Sequence, residues 1–242
     1  IGCISGLHCG SLNGICLLIR IILLGIIFLG GSRVDFSEDT SSFKVPCVIV
    51  TTSAENWSME ELSSVAIDDE KAGETIVDYL IEHGHTKIAE IGANLELSQT
   101  AILRHNGYLN SFKKHGITPD ERYYERARFS YDSAYRAMKK LLEKDIEITA
   151  VYAISDVMAI GAIRAILDKG LRVPEDISIT GFDGSTLAEY YNPKIVSIRQ
   201  PHKDMAARSV ELLFSMIDLH KGSCHEIIPF ELTEGESVAR ID

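Results

Sequence analysis

The sequence predicts an α/β fold built from parallel β-sheets with helices on both faces. Short apolar runs rich in β-branched residues alternate with longer segments whose apolar residues recur at helical spacing. Residues 151–183 show this best, because a β-branched run ends at Ser155–Asp156, a helix follows, and a second strand ends at Asp183. Two strands of one unit therefore deliver acidic groups at their carboxyl ends, the edge where open parallel sheets bind ligands.

Three strands and a helix are predicted in the first third of the chain. Residues 24–31 and 45–50 are apolar runs, as expected for parallel strands buried on both faces. A third strand, 65–67, leads to Asp68, a good N-cap for a helix with apolar residues on one face. Gly84 suits the position just after this helix, because helices commonly end in a left-handed residue.

The middle of the chain continues the alternation of strands and helices. A strand is predicted at 87–92, and Ser98 caps a helix that Gly116 ends. Ser130 opens the next helix, which has apolar residues on one face, and a strand at 148–154 follows.

The last third contains a helix at 157–169 and strands at 177–182 and 195–200. Pro201 is well placed in the first turn of a further helix, because its fixed φ suits that position. A last strand is predicted at 226–232. Alternation along the whole chain indicates parallel sheets covered by helices.

Composition and charge narrow the class of function. The 242 residues are enough for one large domain or two small lobes. The formal net charge of −11 argues against nucleic-acid binding through the bulk surface, which needs clustered lysine and arginine. Five cysteines without C-x-x-C spacing indicate no disulfide framework and favour the reducing cytoplasm.

Residues 1–23 differ from the rest of the chain, because Arg20 is their only charged residue. A membrane span or signal is one interpretation, although the arginine interrupts an apolar run that is short for a span. A buried strand is favoured only for 24–31, and a remnant of a truncated or frame-shifted start is the third interpretation. A metal site here would match no zinc spacing. Its ligands would be Cys3, His8, Cys9 and Cys16.

The sequence contains no catalytic signature. A G-x-S-x-G elbow, a G-x-x-x-x-G-K-S/T phosphate loop, an H-E-x-x-H helix and a G-x-G-x-x-G turn after a strand are all missing. Asp156 and Asp183 could act as an acid–base pair for glycoside hydrolysis, but paired carboxylates are equally expected in a sugar-binding cleft. We therefore predict a binding protein without cofactor or metal, and not an enzyme.

Two strings carry a resemblance to a known family. They are A-I-S-D-V-M-A-I-G at 153–161 and V-P-E-D-I-S-I-T-G-F-D at 173–183. Both resemble the ligand-sensing domain of the lactose-repressor (LacI/GalR) family of bacterial regulators. The resemblance covers about residues 24–242 and implies a two-lobed periplasmic-binding-protein-like fold. Each lobe would be a parallel sheet flanked by helices, and the N-lobe would be incomplete.

The resemblance also implies a domain organisation. The family's helix-turn-helix DNA-binding domain and its first β-α units are not recognisable in the sequence, so residues 1–23 are an atypical apolar segment. The N-lobe would comprise 24–96 and 199–220, and the C-lobe 97–198 and 221–242.

By resemblance, the expected function is that of an effector-binding domain in a transcriptional regulator. A sugar or related metabolite would bind between the lobes and control DNA affinity through a helix-turn-helix domain that this chain lacks. A cytoplasmic homodimer without membrane contact is expected. The alternatives are a sugar-binding protein of a transport system and a remnant that no longer senses a ligand.

Five side chains are the predicted ligand contacts. Asp183 follows a buried strand, where the alternative is a turn aspartate bonded to its own backbone. Arg104, in the family-like string R-x-x-G-Y, offers a rigid fork of donors, unless it is an ordinary surface residue. Gln200 supplies both a donor and an acceptor. Ser155 and Asp156 could contact the ligand or cap the helix that follows them.

Structural roles are favoured for several other polar residues. Asp68 as an N-cap explains its pair with Asp69 better than a ligand role for Asp69 does. Core packing is favoured for Tyr152. His83 and His85 match the family's helix-to-strand turn, which favours a structural role over metal binding.

Overall fold

The structure is a computed structural model and describes residues 24–31, 45–55, 57, 59 and 61–241. The interpretations of residues 1–23 lie outside this range. The chain divides into two compact units. The first comprises Ile1–Ala66 and Lys203–Ile227, and the second comprises Ile67–His202 and Ile228–Asp242.

Ten strands and six α-helices lie in the described residues. The strands are β1 (Ile26–Leu29), β2 (Cys47–Val50), β3 (Leu62–Ala66), β4 (Ile88–Gly92), β5 (Tyr124–Arg126), β6 (Ala150–Ala153), β7 (Ser178–Asp183), β8 (Val196–Arg199), β9 (His225–Ile227) and β10 (Glu231–Thr233). The helices are α1 (Asp69–Glu82), α2 (Gln99–Lys114), α3 (Tyr131–Glu143), α4 (Asp156–Asp168), α5 (Thr186–Tyr190) and α6 (His202–Leu219).

The first unit contains a four-stranded parallel sheet in the order β1-β2-β3-β9. Strand β2 is buried along its whole length, as its unbroken apolar run predicts. Ile49, Trp57 and Leu62 belong to the core cluster on this sheet. Helix α6 belongs to this unit and packs on its sheet, where the Ser63 hydroxyl of β3 lies 3.1 Å from the sulfur of Met216.

The second unit contains a six-stranded sheet in the order β10-β8-β7-β6-β4-β5. All pairs are parallel except β10 with β8. Glu90 and Tyr124 are in register, so the next residue, Glu125, lies on the opposite face. His105 of α2 binds Glu90, and Lys144, the residue just after α3, binds Glu125, so helices cover both faces. The α/β fold class predicted from the sequence is confirmed.

The boundaries of the units differ from those of the predicted lobes. Residues 67–96 were assigned to the N-lobe, but the structure places them in the second unit. The reason is strand pairing, because β4 hydrogen-bonds to β5 and β6 and to none of the described strands of the first unit. An apolar run such as 87–92 has the same pattern in either sheet, so its partner strands are not predictable from the run itself.

The strand predicted at 226–232 is two short strands. β9 pairs with β3 in the first unit, and β10 pairs antiparallel with β8 in the second. Pro229 lies between them and cannot donate a ladder hydrogen bond. The short elements β5 and α5 were not predicted, because three to five residues carry too little periodicity. Within the described ranges, no helix is long and apolar enough to span a membrane.

Candidate functional site

The candidate site lies at the carboxyl edge of the six-stranded sheet. From β4 the chain passes to β5 on one side and then to β6 on the other, so the strand order reverses at β4. Open parallel sheets bind ligands in the crevice beside such a reversal. Ile154 and Ser155 follow β6 directly and therefore lie at this point of the sheet.

Arg104 of α2 is fixed at this edge by three contacts. Its Nε donates to Oδ1 of Asp69 at 2.8 Å, and its Nη1 donates to the Ile154 carbonyl at 2.6 Å. The guanidinium lies 3.6 Å from the centre of the Phe182 ring, a cation–π arrangement. Arg104 is only 4% exposed, which excludes the alternative of an ordinary surface arginine.

Two glycines bring Arg104 close to Asp69. A Cβ on Gly107 would lie 2.3 Å from the Glu70 carbonyl oxygen, and one on Gly73 would lie 2.6 Å from the Arg104 carbonyl oxygen. Both distances are far below van der Waals contact, so α1 and α2 approach this closely only because neither position carries a side chain. The glycine of the R-x-x-G-Y string therefore sets the depth at which the arginine lies.

Asp183 ends β7 in a backbone conformation that side chains rarely adopt. Its φ is 112°, and such strain persists only where the surroundings enforce it. Gln200 supplies the constraint twice, because its backbone N–H donates to the Asp183 carbonyl at 3.1 Å and its Nε2 donates to Oδ1 at 2.8 Å. The same Oδ1 lies 3.8 Å from Nη1 of Arg104.

Burial and charge pairing shift the pKa values of the cluster in opposite directions. Burial raises the pKa of Asp183 to about 6, although the guanidinium of Arg104 lowers it. Burial likewise raises the pKa of Asp69 against the effect of the same guanidinium. Burial alone would lower the pKa of Arg104, but the two carboxylates raise it, so the arginine stays charged.

The cluster retains hydrogen-bonding capacity. Nη2 of Arg104 and Oδ2 of Asp183 make no hydrogen bond with any residue in the described ranges. The Asp183 side chain is 29% exposed, so its carboxylate is accessible. A fixed donor beside a fixed acceptor is complementary to a hydroxyl group, which donates and accepts at once.

Ser155 and Asp156 have partners within the protein. Ser155 is the N-cap of α4, and its hydroxyl accepts from the Met158 N–H at 3.3 Å. The Asp156 carboxylate accepts from the Ser197 hydroxyl and from the Ser185 N–H, each at 2.6 Å. Both residues are almost fully buried. Their contacts support the structural alternative, a cap and a clamp on β8 and α5.

Two residues that hold Arg104 in place, and one exposed ring at the same edge of the sheet, were not predicted as parts of the site. Asp69 was set aside because the neighbouring Asp68 explains the helix start, and Asp68 is indeed the N-cap. Phe182 was read only as part of a buried strand. Phe129 follows β5 at the same edge and is 46% exposed, which is unusual for phenylalanine. The sequence signal that could have identified Phe129 is its position just before the capping residue Ser130.

The described residues contain no group of three or more histidine, cysteine or acidic side chains that could hold a metal ion. His85 is buried, with Nδ1 3.1 Å from the Thr149 hydroxyl and Nε2 3.0 Å from the Ala239 carbonyl. These contacts tie the turn after α1 to the C-terminal segment, in agreement with a structural role.

Residues 77–238 match the family model of the periplasmic binding protein-like domain. The chain is 39% identical over 221 residues to the HTH-type transcriptional regulator MalR of Clostridium butyricum, covering 90% of this chain and 66% of that protein. It is 34% identical over 189 residues to catabolite control protein A of Priestia megaterium, covering 78% and 56%.

Solved structures agree with this assignment. The complex of the transcriptional regulator CelR with cellobiose superposes with a TM-score of 0.82 at 30% identity, covering 92% of this chain and 68% of that one. The chain spans slightly less than two thirds of MalR and just over half of catabolite control protein A. With the fold, the matched strings and these relatives in agreement, the chain belongs to the periplasmic-binding-protein-like domain family, in the form found in LacI/GalR regulators.

Proposed function

We propose that the chain is the effector-binding domain of a LacI-type transcriptional regulator and that its effector is a sugar or a related polar metabolite. The observation that carries the proposal is the pair formed by Arg104 and Asp183, 3.8 Å apart at the carboxyl edge of the sheet. Each side chain is held by a neighbour and keeps an unused donor or acceptor. Adjacent hydroxyls on a sugar ring fit such a pair.

The proposed ligand contacts are Arg104, Asp183 and Gln200. Phe129 adds an exposed ring at the same edge, and an aromatic face can stack on the apolar side of a sugar. The family resemblance implies ligand contacts for Ser155 and Asp156, but the proposal gives them the supporting roles described above.

In the complete regulator, effector binding would control the DNA affinity of a helix-turn-helix domain that lies outside these 242 residues. An effector can shift DNA affinity only through its different affinities for the two states of the protein. The regulator would act in the bacterial cytoplasm as a homodimer, without a cofactor and without a catalytic step. The regulator names of the relatives favour this function over a transport role.

Thermal unfolding of the purified chain tests the effector class. The panel comprises glucose, maltose, cellobiose, ribose, purine bases and phosphosugars. A compound that binds only the folded state at about 100 times its Kd adds roughly 2.7 kcal/mol of stability. We expect a concentration-dependent rise in Tm for a sugar, and we expect Asp183→Asn to abolish it.

Asp168→Asn is the matched control, because Asp168 is a carboxylate paired with Arg164 on the surface of the same unit. A shift that persists in Asp183→Asn would refute the assigned site. A shift produced only by purines would refute the sugar class. Light scattering tests the dimer, which requires a mass of twice 26.8 kDa.

A further inference from the structure

Helix α2 carries a second anchored side chain next to Arg104. His105 binds Glu90, whose side chain lies in the middle of β4 and is 1% exposed. Nδ1 of the histidine lies 2.7 Å from Oε2 of the glutamate. Burying a carboxylate in a central strand is costly, so a single hydrogen bond to a titratable partner is an unusual arrangement.

Glu90 belongs to a row of polar side chains across the sheet. It is in register with Tyr152 of β6, and Tyr152 is in register with Thr180 of β7, so the three side chains lie on one face. Oε1 of Glu90, the Tyr152 hydroxyl and the Thr180 hydroxyl are all buried and have no hydrogen-bond partner in the described part of the chain. Buried polar atoms are normally satisfied, so this row needs an explanation.

Tyr152 connects the row to the candidate site. It lies two residues before Ile154, whose carbonyl accepts from Nη1 of Arg104. His105 is the neighbour of Arg104 in the same helix. A change in the charge of Glu90 or His105 therefore acts on the helix that carries Arg104.

The other titratable groups around the pair are occupied elsewhere. Tyr108 of α2 donates to the Ile88 carbonyl, and Tyr124 of β5 donates to the Ala93 carbonyl. Both rings contact the His105 imidazole, with centroids at 6.2 Å and 5.2 Å. The remaining charged or titratable neighbours are paired with other residues. Lys140 of α3 and Lys144, just after α3, bind Glu125, whereas Asp120 binds Arg122 and Tyr123 donates to the Glu147 carbonyl.

We propose that Glu90 and His105 are positioning residues that share one proton, hold α2 against the sheet, and thereby make the placement of Arg104 depend on pH. The proposal rests on the proposed function only in assigning Arg104 to the effector. With the proton bound, the pair carries no net charge. When His105 releases it to solvent, which its 21% exposure permits, a negative carboxylate remains buried beside a neutral ring.

The direction of the effect follows from the pKa shifts. Burial raises the pKa of Glu90, and Glu90 raises the pKa of His105 above its ordinary value although burial opposes it. The folded state therefore holds the proton more tightly than the unfolded chain. This contribution to stability is present below about pH 6.5, the usual histidine value, and is lost as the pH rises through the higher folded value.

NMR of the full chain tests the coupling without any ligand. The His105 Cε1–H signal and the Arg104 Nε–H signal are followed from pH 5.5 to 9 in an Asp183→Asn background, which removes the carboxylate that titrates at about pH 6 beside Arg104. We expect both to titrate with one midpoint. In Glu90→Gln the His105 midpoint should fall and the Arg104 signal should stop responding. His105→Asn, at a partly exposed position, should also remove the response and serves if Glu90→Gln is unstable.

His115→Asn is the matched control, because His115 lies just beyond α2 and binds a carboxylate, Asp78, at 3.0 Å. It should leave the Arg104 response unchanged. An Arg104 signal that stays constant while His105 titrates would overturn the proposal, as would a response that survives in Glu90→Gln.

Calorimetric titration with cellobiose at pH 7 and pH 9, both above the pKa of Asp183, separates this proposal from the proposed function. We expect binding about fivefold or more weaker at the higher pH, and no such difference in Glu90→Gln. A cellobiose affinity that is equal at both pH values in the wild type would contradict the positioning role. If cellobiose binds no variant, it is excluded as the effector, and the NMR result alone decides on the pair.

Discussion

Arg104 and Asp69 are 35 residues apart in sequence and form an ion pair with 2.8 Å between Nε and Oδ1. Both side chains are almost completely buried. A buried guanidinium without this partner would be strongly unfavourable, so the pair fixes the arginine at one place on the sheet edge. The remaining donors of Arg104 are then directed by the protein and not by a ligand, which is the arrangement expected of a preformed binding site.

Asp69→Ala should be strongly destabilising. Removing one partner of a buried ion pair leaves the other charge uncompensated and costs about 3–5 kcal/mol. Urea denaturation measures the loss. Asp68→Ala is the matched control at the adjacent position, where only an N-cap bond to the Lys71 N–H is lost, at a cost of about 1 kcal/mol. Equal losses in the two variants would contradict the special role of Asp69.

Gly107→Ala should push α1 and α2 apart. The added Cβ would overlap the Glu70 carbonyl oxygen, and such overpacking typically costs about 1–3 kcal/mol. Because Arg104 moves with α2, sugar affinity should fall as well. Gly222→Ala is the control, since nothing lies within 4 Å of a Cβ at that position. Wild-type stability and affinity in Gly107→Ala would show that the helices tolerate a wider spacing.

Asp156→Asn should separate a structural carboxylate from a ligand-binding one. In asparagine, an amide nitrogen replaces one carboxylate oxygen and cannot accept a hydrogen bond. Either the Ser185 N–H or the Ser197 hydroxyl therefore loses its acceptor, at a cost of about 1–3 kcal/mol. We expect a lower Tm and a retained thermal shift with the sugar. Asp183→Asn should not lower the Tm but should abolish the thermal shift with the sugar. A stable Asp156→Asn protein that binds no sugar would restore Asp156 as a ligand contact.

Ionisation of Asp183 should lower the stability of the folded protein near neutral pH. Its folded pKa of about 6 lies above the ordinary value of 3.8, so the folded state binds the proton more tightly. The stabilisation is complete below about pH 4 and is lost as the pH rises through 6. The shift of about two pH units corresponds to at most about 3 kcal/mol, and partial exposure reduces this to about 1–2 kcal/mol.

Unfolding free energies of wild type and Asp183→Asn between pH 4 and 8 measure this contribution. Relative to the variant, the wild type should lose stability across that range. A constant difference between the two proteins would show that the carboxylate has an ordinary pKa. Sugar affinity, unlike stability, should fall as the pH drops below 6, because only the ionised carboxylate accepts two hydrogen bonds from hydroxyls.

Much of the local structure could be predicted from the sequence because it depends on neighbouring residues. Asp68, Ser98 and Ser130 were each predicted to start a helix, and for Ser155 a cap was the alternative to a ligand contact. Each of the four accepts the backbone hydrogen bond of an N-cap. A cap needs only a short polar side chain at the start of an apolar periodicity. The fold class followed from the same local patterns, since strands and helices alternate along the chain.

The sequence by itself thus determined most of the longer elements, the family and the chemical types available at the site. Tertiary structure alone decided that β4 belongs to the second unit, that Asp69 is the partner of Arg104, and that Glu90 lies beside Tyr152. The physical reason is that strand pairing and helix approach join residues far apart in the chain. A local pattern predicts that a surface is buried, but only the folded structure shows which surface covers it.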